Sequence, residues 1–240
     1  MTASNGTPTI AQVTLIGVFV TGLVTAQLTA SKILAFSIPL SLPLTGDELL
    51  MPGAALAYAL TYFASDCYTE LYGKRAGQVV VNVAFAMNFV VLALVWSTAA
   101  APVASNSVVG AAAFENVLMP ASYVVLGSLL AYLVSQNWDV WFFHRIREAT
   151  GREKLWLRNI LSTGTSQAID TVIFVSVAFL IAPALFGGFV MSDEAIIGLI
   201  IGQYLLKLAI AVVDTPVVYA VVRAARSRAG MGAGSAVAAE

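Results

Sequence analysis

Long apolar runs separated by short polar gaps dominate this chain, at approximately 11–36, 51–73, 77–98, 117–138, 159–182 and 194–222. A helix rises about 1.5 Å per residue, so about 20 residues cross a hydrocarbon core about 30 Å thick; each run is long enough, the first and last with some tilt. The runs are continuous and rich in Ala and Leu, without the alternating segments of about ten residues that mark an outer-membrane barrel. The pattern predicts an all-α integral membrane protein: six transmembrane helices in one compact bundle, forming a single domain over 1–228. A Gly-, Ala- and Ser-rich tail over 229–240 is expected to be disordered. In the fourth run Gly127, Ala131 and Ser135 recur four apart, which predicts close approach of a neighbouring helix.

Charge placement orients the spans. Ten of the twelve Lys and Arg residues lie in alternate gaps: Lys74 and Arg75; then Arg145, Arg147, Arg152, Lys154 and Arg158; then Arg223, Arg226 and Arg228. The other gaps carry Asp47, Glu48, Glu115, Asp193 and Glu194. Cytoplasmic loops collect basic residues, so the alternation predicts an even number of spans in the inner membrane, with the N and C termini both cytoplasmic. Trp96, and then Trp138, Trp141 and Trp156, fall where interfacial aromatic belts are expected.

Composition agrees, since 59% apolar and 10% charged residues leave too little polar surface for a soluble globule of this size. With a net charge of −1 and its basic residues dispersed by topology, the chain is not expected to bind nucleic acid. A single Cys67 can form no internal disulfide or thiolate cluster, so neither a metal site nor a cofactor is expected. The N-terminal run lacks a basic leader and reads as a retained span rather than a cleaved signal.

Candidate chemistry lies in the charges that interrupt the runs: Lys32, Asp66, Glu70, Asp170, Lys207 and Asp214, with Asp139 at the inner end of the fourth. Each lone charge at mid-membrane costs about 2.5–3.5 kcal/mol on an insertion scale, so these groups must pair, or face the bundle interior or a wet cavity. Their spacing gives each helix one polar stripe: Asp66 with Glu70, Thr163 with Gln167 and Asp170, Gln203 with Lys207 and Asp214, and Thr21 and Thr25 with Lys32. Asp66, Asp170 and Lys207 fall near mid-bilayer by helix rise, where transporter sites form. Glu70 lies nearer the inner surface and is expected to pair with Lys74. Two lysines cannot neutralise Asp66, Asp170 and Asp214 together, which leaves a surplus carboxylate for a proton or a donor-rich ligand.

Several stretches then become recognisable: Ala30-Ser31-Lys32-Ile33; Ser65-Asp66-Cys67-Tyr68-Thr69-Glu70-Leu71-Tyr72-Gly73-Lys74; Ser135-Gln136-Asn137-Trp138-Asp139 with Phe143-His144-Arg145; Arg158-Asn159-Ile160-Leu161-Ser162-Thr163; Ser166-Gln167-Ala168-Ile169-Asp170-Thr171; and Lys207 with Asp214-Thr215-Pro216. On these the chain resembles the queuosine-precursor transporter family, also called the vitamin uptake transporter group, over nearly all six spans. The resemblance implies a compact six-helix plan similar to the substrate-binding S subunits of energy-coupling-factor transporters. It also implies import of a small, planar, nucleobase-like substrate for modified bases in tRNA: 7-cyano-7-deazaguanine or its aminomethyl analogue.

Such a ligand offers an N1 proton and an exocyclic amine that one carboxylate accepts together, and a carbonyl that wants a donor. Asp170 with Gln167 is the leading recognition pair. Asp66, Gln136, Asp139 and Lys207 follow, with Phe63, Tyr204 or Trp138 as stacking surfaces. Glu70, Lys32 and Asp214 are assigned to ion pairing or proton coupling, Asp214 as a counter-ion of Lys207. An enzyme is not expected: His144 is the lone histidine and no Gly-x-Ser-x-Gly elbow is present. The alternative is a vitamin-binding S-type subunit that depends on a separate ATPase module, because the chain has no phosphate-cradling Gly-x-x-x-x-Gly-Lys-Ser/Thr loop of its own.

Overall fold

In a computed structural model, residues 7–42, 46–150 and 155–228 are described. The tail over 229–240, Arg152 and Lys154 lie outside them, as do the side chains of Arg147, Trp156, Arg158 and Arg228. The elements in order are α1 (Ile10–Thr29), β1 (Ile33–Leu42), β2 (Gly46–Pro52), α2 (Ala54–Tyr72), α3 (Lys74–Ala100), α4 (Ala111–Leu118), α5 (Ala121–Thr150), α6 (Leu155–Ser176), one π-helical turn (Val177–Ile181), α7 (Ala182–Phe186) and α8 (Asp193–Arg228). Helix predominates, and among the described residues five helical rods are long and apolar enough to cross a membrane: Ile10–Thr29, Lys74–Ala100, Ala111–Ile146, Ile160–Phe186 and Asp193–Ser227. α2 is not one of them. Its four tyrosines together with Thr61, Ser65, Asp66, Thr69 and Glu70 dilute its apolar character.

The first apolar run does not continue as helix to residue 36. α1 stops at Thr29, and β1 pairs antiparallel with β2 from Ile33↔Pro52 through Ser37↔Glu48 to Leu42↔Gly46. Pro39 disfavours helical backbone only at Ile38 and beyond, so the earlier stop at Thr29 has no local cause in the sequence. A two-stranded sheet accommodates Pro39 because each strand has a free edge, and the register becomes irregular between Ser37 and Leu42, around that proline. Lys32 therefore sits exposed in the turn after α1 rather than inside a span.

Another departure lies between α2 and α3. Gly73 adopts φ 88°, a left-handed conformation that glycine tolerates, and its N–H donates to the Thr69 carbonyl at 2.8 Å to close the end of α2. The chain turns there, so Lys74 begins a new helix and is not one turn beyond Glu70 on the same one.

The described residues form two compact units. The first draws on 1–26, 56–91 and 208–240. Its core joins Leu15 of α1, Cys67 and Tyr68 of α2, and Val218 and Val222 of α8; Phe19, Leu23, Ala64 and Ala84 form a second cluster. Phe63 packs against the former cluster, as core rather than as an open stacking surface. The second unit draws on 27–55 and 92–207. In it α5 and α6 run side by side, and a Cβ placed on Gly127 would lie 3.0 Å from the Phe174 carbonyl and 3.1 Å from Ala178. Ala131 and Ser135 are buried, so the small-residue stripe read from the sequence is a helix seam.

Candidate functional site

That seam carries polar groups over the C-terminal half of α5. The stripe Gly127, Ala131, Ser135 and Asp139 continues at four-residue spacing, and α6 answers it in antiparallel order. Ser135 Oγ lies 3.3 Å from Asp170 Oδ1. Asp139 accepts a short hydrogen bond from the Ser162 hydroxyl, which also lies 3.0 Å from the Asp139 carbonyl. Trp138 Nε1 donates to Thr165 Oγ1 at 3.1 Å. Asp139 and Trp138, both read as ligand candidates, are thus engaged in holding α5 to α6. Trp138 also lies among Trp141 and Phe142. Gln136 is exposed on the outside of α5 and makes no side-chain hydrogen bond among the described residues.

The strongest polar contact in the second unit joins α6 to α8. Lys207 Nζ donates to Asp170 Oδ2 at 2.6 Å, with the lysine side chain 11% exposed and the aspartate 26%. Lys207 therefore has Asp170 as its counter-ion, not Asp214. Polarity one turn either side supports the pair. Tyr204 on α8 donates its hydroxyl to the Gly164 carbonyl of α6 at 3.2 Å, and Gln167, half-buried and three residues before Asp170, keeps its carboxamide free of hydrogen bonds among the described residues. A carboxylate offers about four lone-pair positions; here one faces the ammonium and another the Ser135 hydroxyl, which leaves capacity on Asp170 for a ligand.

Gly202 explains why α8 is close-packed at this level. A Cβ there would collide with the Leu50 backbone of β2, and one on Gly198 would lie 3.0 Å from the Leu50 side chain. Just past the same end of β2, Gly53 donates its N–H to the Lys32 carbonyl at 2.6 Å, and a Cβ on Gly53 would strike the Thr29 carbonyl. The hairpin base is wedged between the end of α1 and the middle of α8.

Two buried carboxamides border that base. Gln27 is 1% exposed and neither its nitrogen nor its oxygen has a partner among the described residues; Gln203 is 8% exposed with its Oε1 likewise unpartnered among them. An unsatisfied buried polar group costs about 1–3 kcal/mol, so both positions need a reason. Neither stood out from the sequence as a site residue. The signal present was that Gln203 precedes Lys207 by one helical turn.

The first unit holds a different set of charges. Asp66, exposed on α2, lies within electrostatic reach of Asp214 and Glu70. Neither Asp66 nor Asp214 makes an ion pair or a hydrogen bond among the described residues. Glu70 has Arg226 of α8 as its basic neighbour, 3.9 Å away, and not Lys74. Arg226 also donates to the Glu70 backbone carbonyl at 2.7 Å.

No group of His, Cys, Asp and Glu among the described residues could hold a metal ion. Residues 52–221 match the family described as "Putative vitamin uptake transporter". The chain is 33% identical over 165 residues to the "Probable queuosine precursor transporter" of Bacillus subtilis (strain 168), an alignment that covers 68% of each protein. No solved structure matches the chain. Family and relative are transporters rather than enzymes, and with its apolar rods the chain is a multi-pass membrane protein. It belongs to the vitamin uptake transporter family.

Proposed function

We propose that this protein is a membrane permease that imports a queuosine precursor, 7-cyano-7-deazaguanine or 7-aminomethyl-7-deazaguanine, without altering it chemically. The observation that carries the reading is the Lys207–Asp170 pair, about 15 Å along the Ile160–Phe186 rod and about 21 Å along the Asp193–Ser227 rod. A charged pair at such a depth is expensive unless it serves a pathway or a site. It also matches the ligand. The Asp170 carboxylate accepts N1–H and one exocyclic N–H together, while the Lys207 ammonium or the Gln167 amide donates to the ring carbonyl. The relative's name supports the same substrate class.

In this reading α2, 19 residues and about 28 Å long, is the sixth span, its polar face turned away from lipid. Both termini are cytoplasmic, and Asp66 and Asp214 carry the coupling proton. The test is accumulation of labelled 7-cyano-7-deazaguanine by cells unable to make it, with this chain as the sole added subunit. Accumulation that depends on the chain supports a self-sufficient permease. No accumulation despite confirmed membrane insertion sinks it, and uptake restored only by co-expressed ATPase subunits assigns the chain as an S-type binding subunit.

A further inference from the structure

The two orphaned carboxamides match what the carried base has left once the ion pair has been used. Given the proposed substrate class, on which this inference rests, Asp170 takes N1–H and one proton of the 2-amino group, and Lys207 donates to the carbonyl. Apart from the C7 substituent, three hydrogen-bonding positions of the free base remain: the ring acceptor N3, the adjacent pyrrole donor N9–H, and the second 2-amino proton. N3 and N9–H lie one carbon apart, the donor–acceptor spacing that a single carboxamide meets with both its ends. Gln27 has both ends unpartnered, and Gln203 has its acceptor oxygen unpartnered.

We propose that Gln27 reads the N3/N9–H edge of the base and that Gln203 Oε1 accepts the remaining 2-amino proton, so that these two side chains set specificity for the free base over its nucleosides. Their placement supports this. Both belong to the unit that holds the ion pair. Gln203 sits one turn before Lys207 on α8, beside Gly202, which meets the Leu50 backbone. Gln27 sits two residues before Thr29, which meets Gly53, three residues beyond Leu50 at the same end of that strand. Both are buried, so lipid and bulk water are excluded as routine partners, and the free groups bond no other residue among those described, so they do not act as staples there.

The discriminating consequence concerns N9. A substituent there removes the donor that Gln27 would accept and collides with the side chain. The experiment measures uptake of labelled 7-cyano-7-deazaguanine by wild type, Gln27→Leu and Gln203→Leu, with competition by three unlabelled probes: the same base, its N9-methyl derivative, and its 2-deamino analogue. Wild type should be inhibited at least tenfold less well by either derivative than by the parent base. Gln27→Leu should raise KM tenfold or more and erase the discrimination against N9-methylation. Gln203→Leu should raise KM and weaken the discrimination against 2-deamination only, the remainder being the bond that Asp170 makes to the other 2-amino proton.

Melting of the purified variants separates recognition from packing. Replacing an unsatisfied amide by an apolar side chain should leave Tm unchanged or raised, and uptake lost with Tm preserved is the expected signature. Unchanged KM and unchanged probe selectivity in both variants would overturn the inference while leaving the transporter reading intact, and so would uptake lost only in step with a lowered Tm. A wild type that takes up none of the base would remove both.

Discussion

The two units handle their carboxylates in opposite ways. In the second, Asp170 has an ammonium at 2.6 Å and a serine hydroxyl at 3.3 Å, and its helix is pinned to α5 and α8 by Ser162, Trp138 and Tyr204. In the first, Asp66 and Asp214 lie close enough to feel each other's charge and share no basic partner among the described residues. A neutral, pre-positioned pair suits recognition, since donors and acceptors stand ready before a ligand arrives. Two carboxylates without a basic partner suit a cation that comes and goes. Under the proposed function, substrate reading and proton handling fall on different residues.

The largest effect should come from breaking the neutral pair. Asp170→Asn removes the bidentate acceptor and is expected to reduce uptake more than a hundredfold. Lys207→Met leaves a carboxylate without its counter-ion and is expected to lower stability by about 2 kcal/mol, less than for a fully buried pair because Asp170 keeps 26% side-chain exposure. The double variant Asp170→Asn/Lys207→Met should recover most of that stability and none of the uptake, which thermal melting beside an uptake assay can read. Recovery of uptake by the double variant would mean that the pair only fastens helices.

In the first unit the expected phenotype is of another kind. Asp66→Asn and Asp214→Asn should abolish accumulation driven by a proton gradient while sparing exchange of labelled for unlabelled base across vesicles held at equal pH. Loss of exchange together with accumulation would place these carboxylates in recognition and dissolve the contrast between the units.

How much of this could be read from the residues differs element by element. The α5 seam and the shared faces of Gln167 with Asp170 and Gln203 with Lys207 followed from spacing, because helical periodicity puts residues three and four apart on one face. Partners did not follow. Spacing placed Asp214 on the stripe of Lys207, yet the ammonium reaches across to α6; it placed Lys74 one turn beyond Glu70, yet Gly73 ends that turn. The hairpin was hidden because Ile33–Leu42 is as apolar as the helix before it, and a short apolar run without clear alternation reads alike as strand or helix. Gln27 was hidden for a related reason: a lone amide in a helix carries no pattern, and its missing partners exist only in three dimensions.

Glycines at close approaches offer a milder comparison. Gly202→Ala would push a Cβ onto the Leu50 backbone, which cannot rotate away, and Gly77→Ala would meet mainly the Thr69 side chain, which can. The former should lower stability by about 3 kcal/mol and the latter by about 1 kcal/mol, the two ends of the range for overpacking. Equal losses would show that the hairpin base yields as readily as a side chain.

The smallest effect should come from the one basic partner that the first unit offers its acids. Arg226 lies 3.9 Å from the Glu70 carboxylate, and with 44% and 57% of the two side chains exposed the attraction is screened and worth less than about 0.5 kcal/mol. The same guanidinium donates at 2.7 Å to the Glu70 carbonyl, which lies in the last turn of α2, where carbonyls lack intrahelical partners. A basic side chain there satisfies an orphan acceptor and complements the helix dipole. Glu70→Gln should therefore change Tm little, whereas Arg226→Ala should cost about 1 kcal/mol and fray the end of α2, seen as faster amide exchange over residues 69–72. The order matters more than the size: if Glu70→Gln were the more damaging, Arg226 would be acting through charge, and the first unit would hold a neutralised pair of its own.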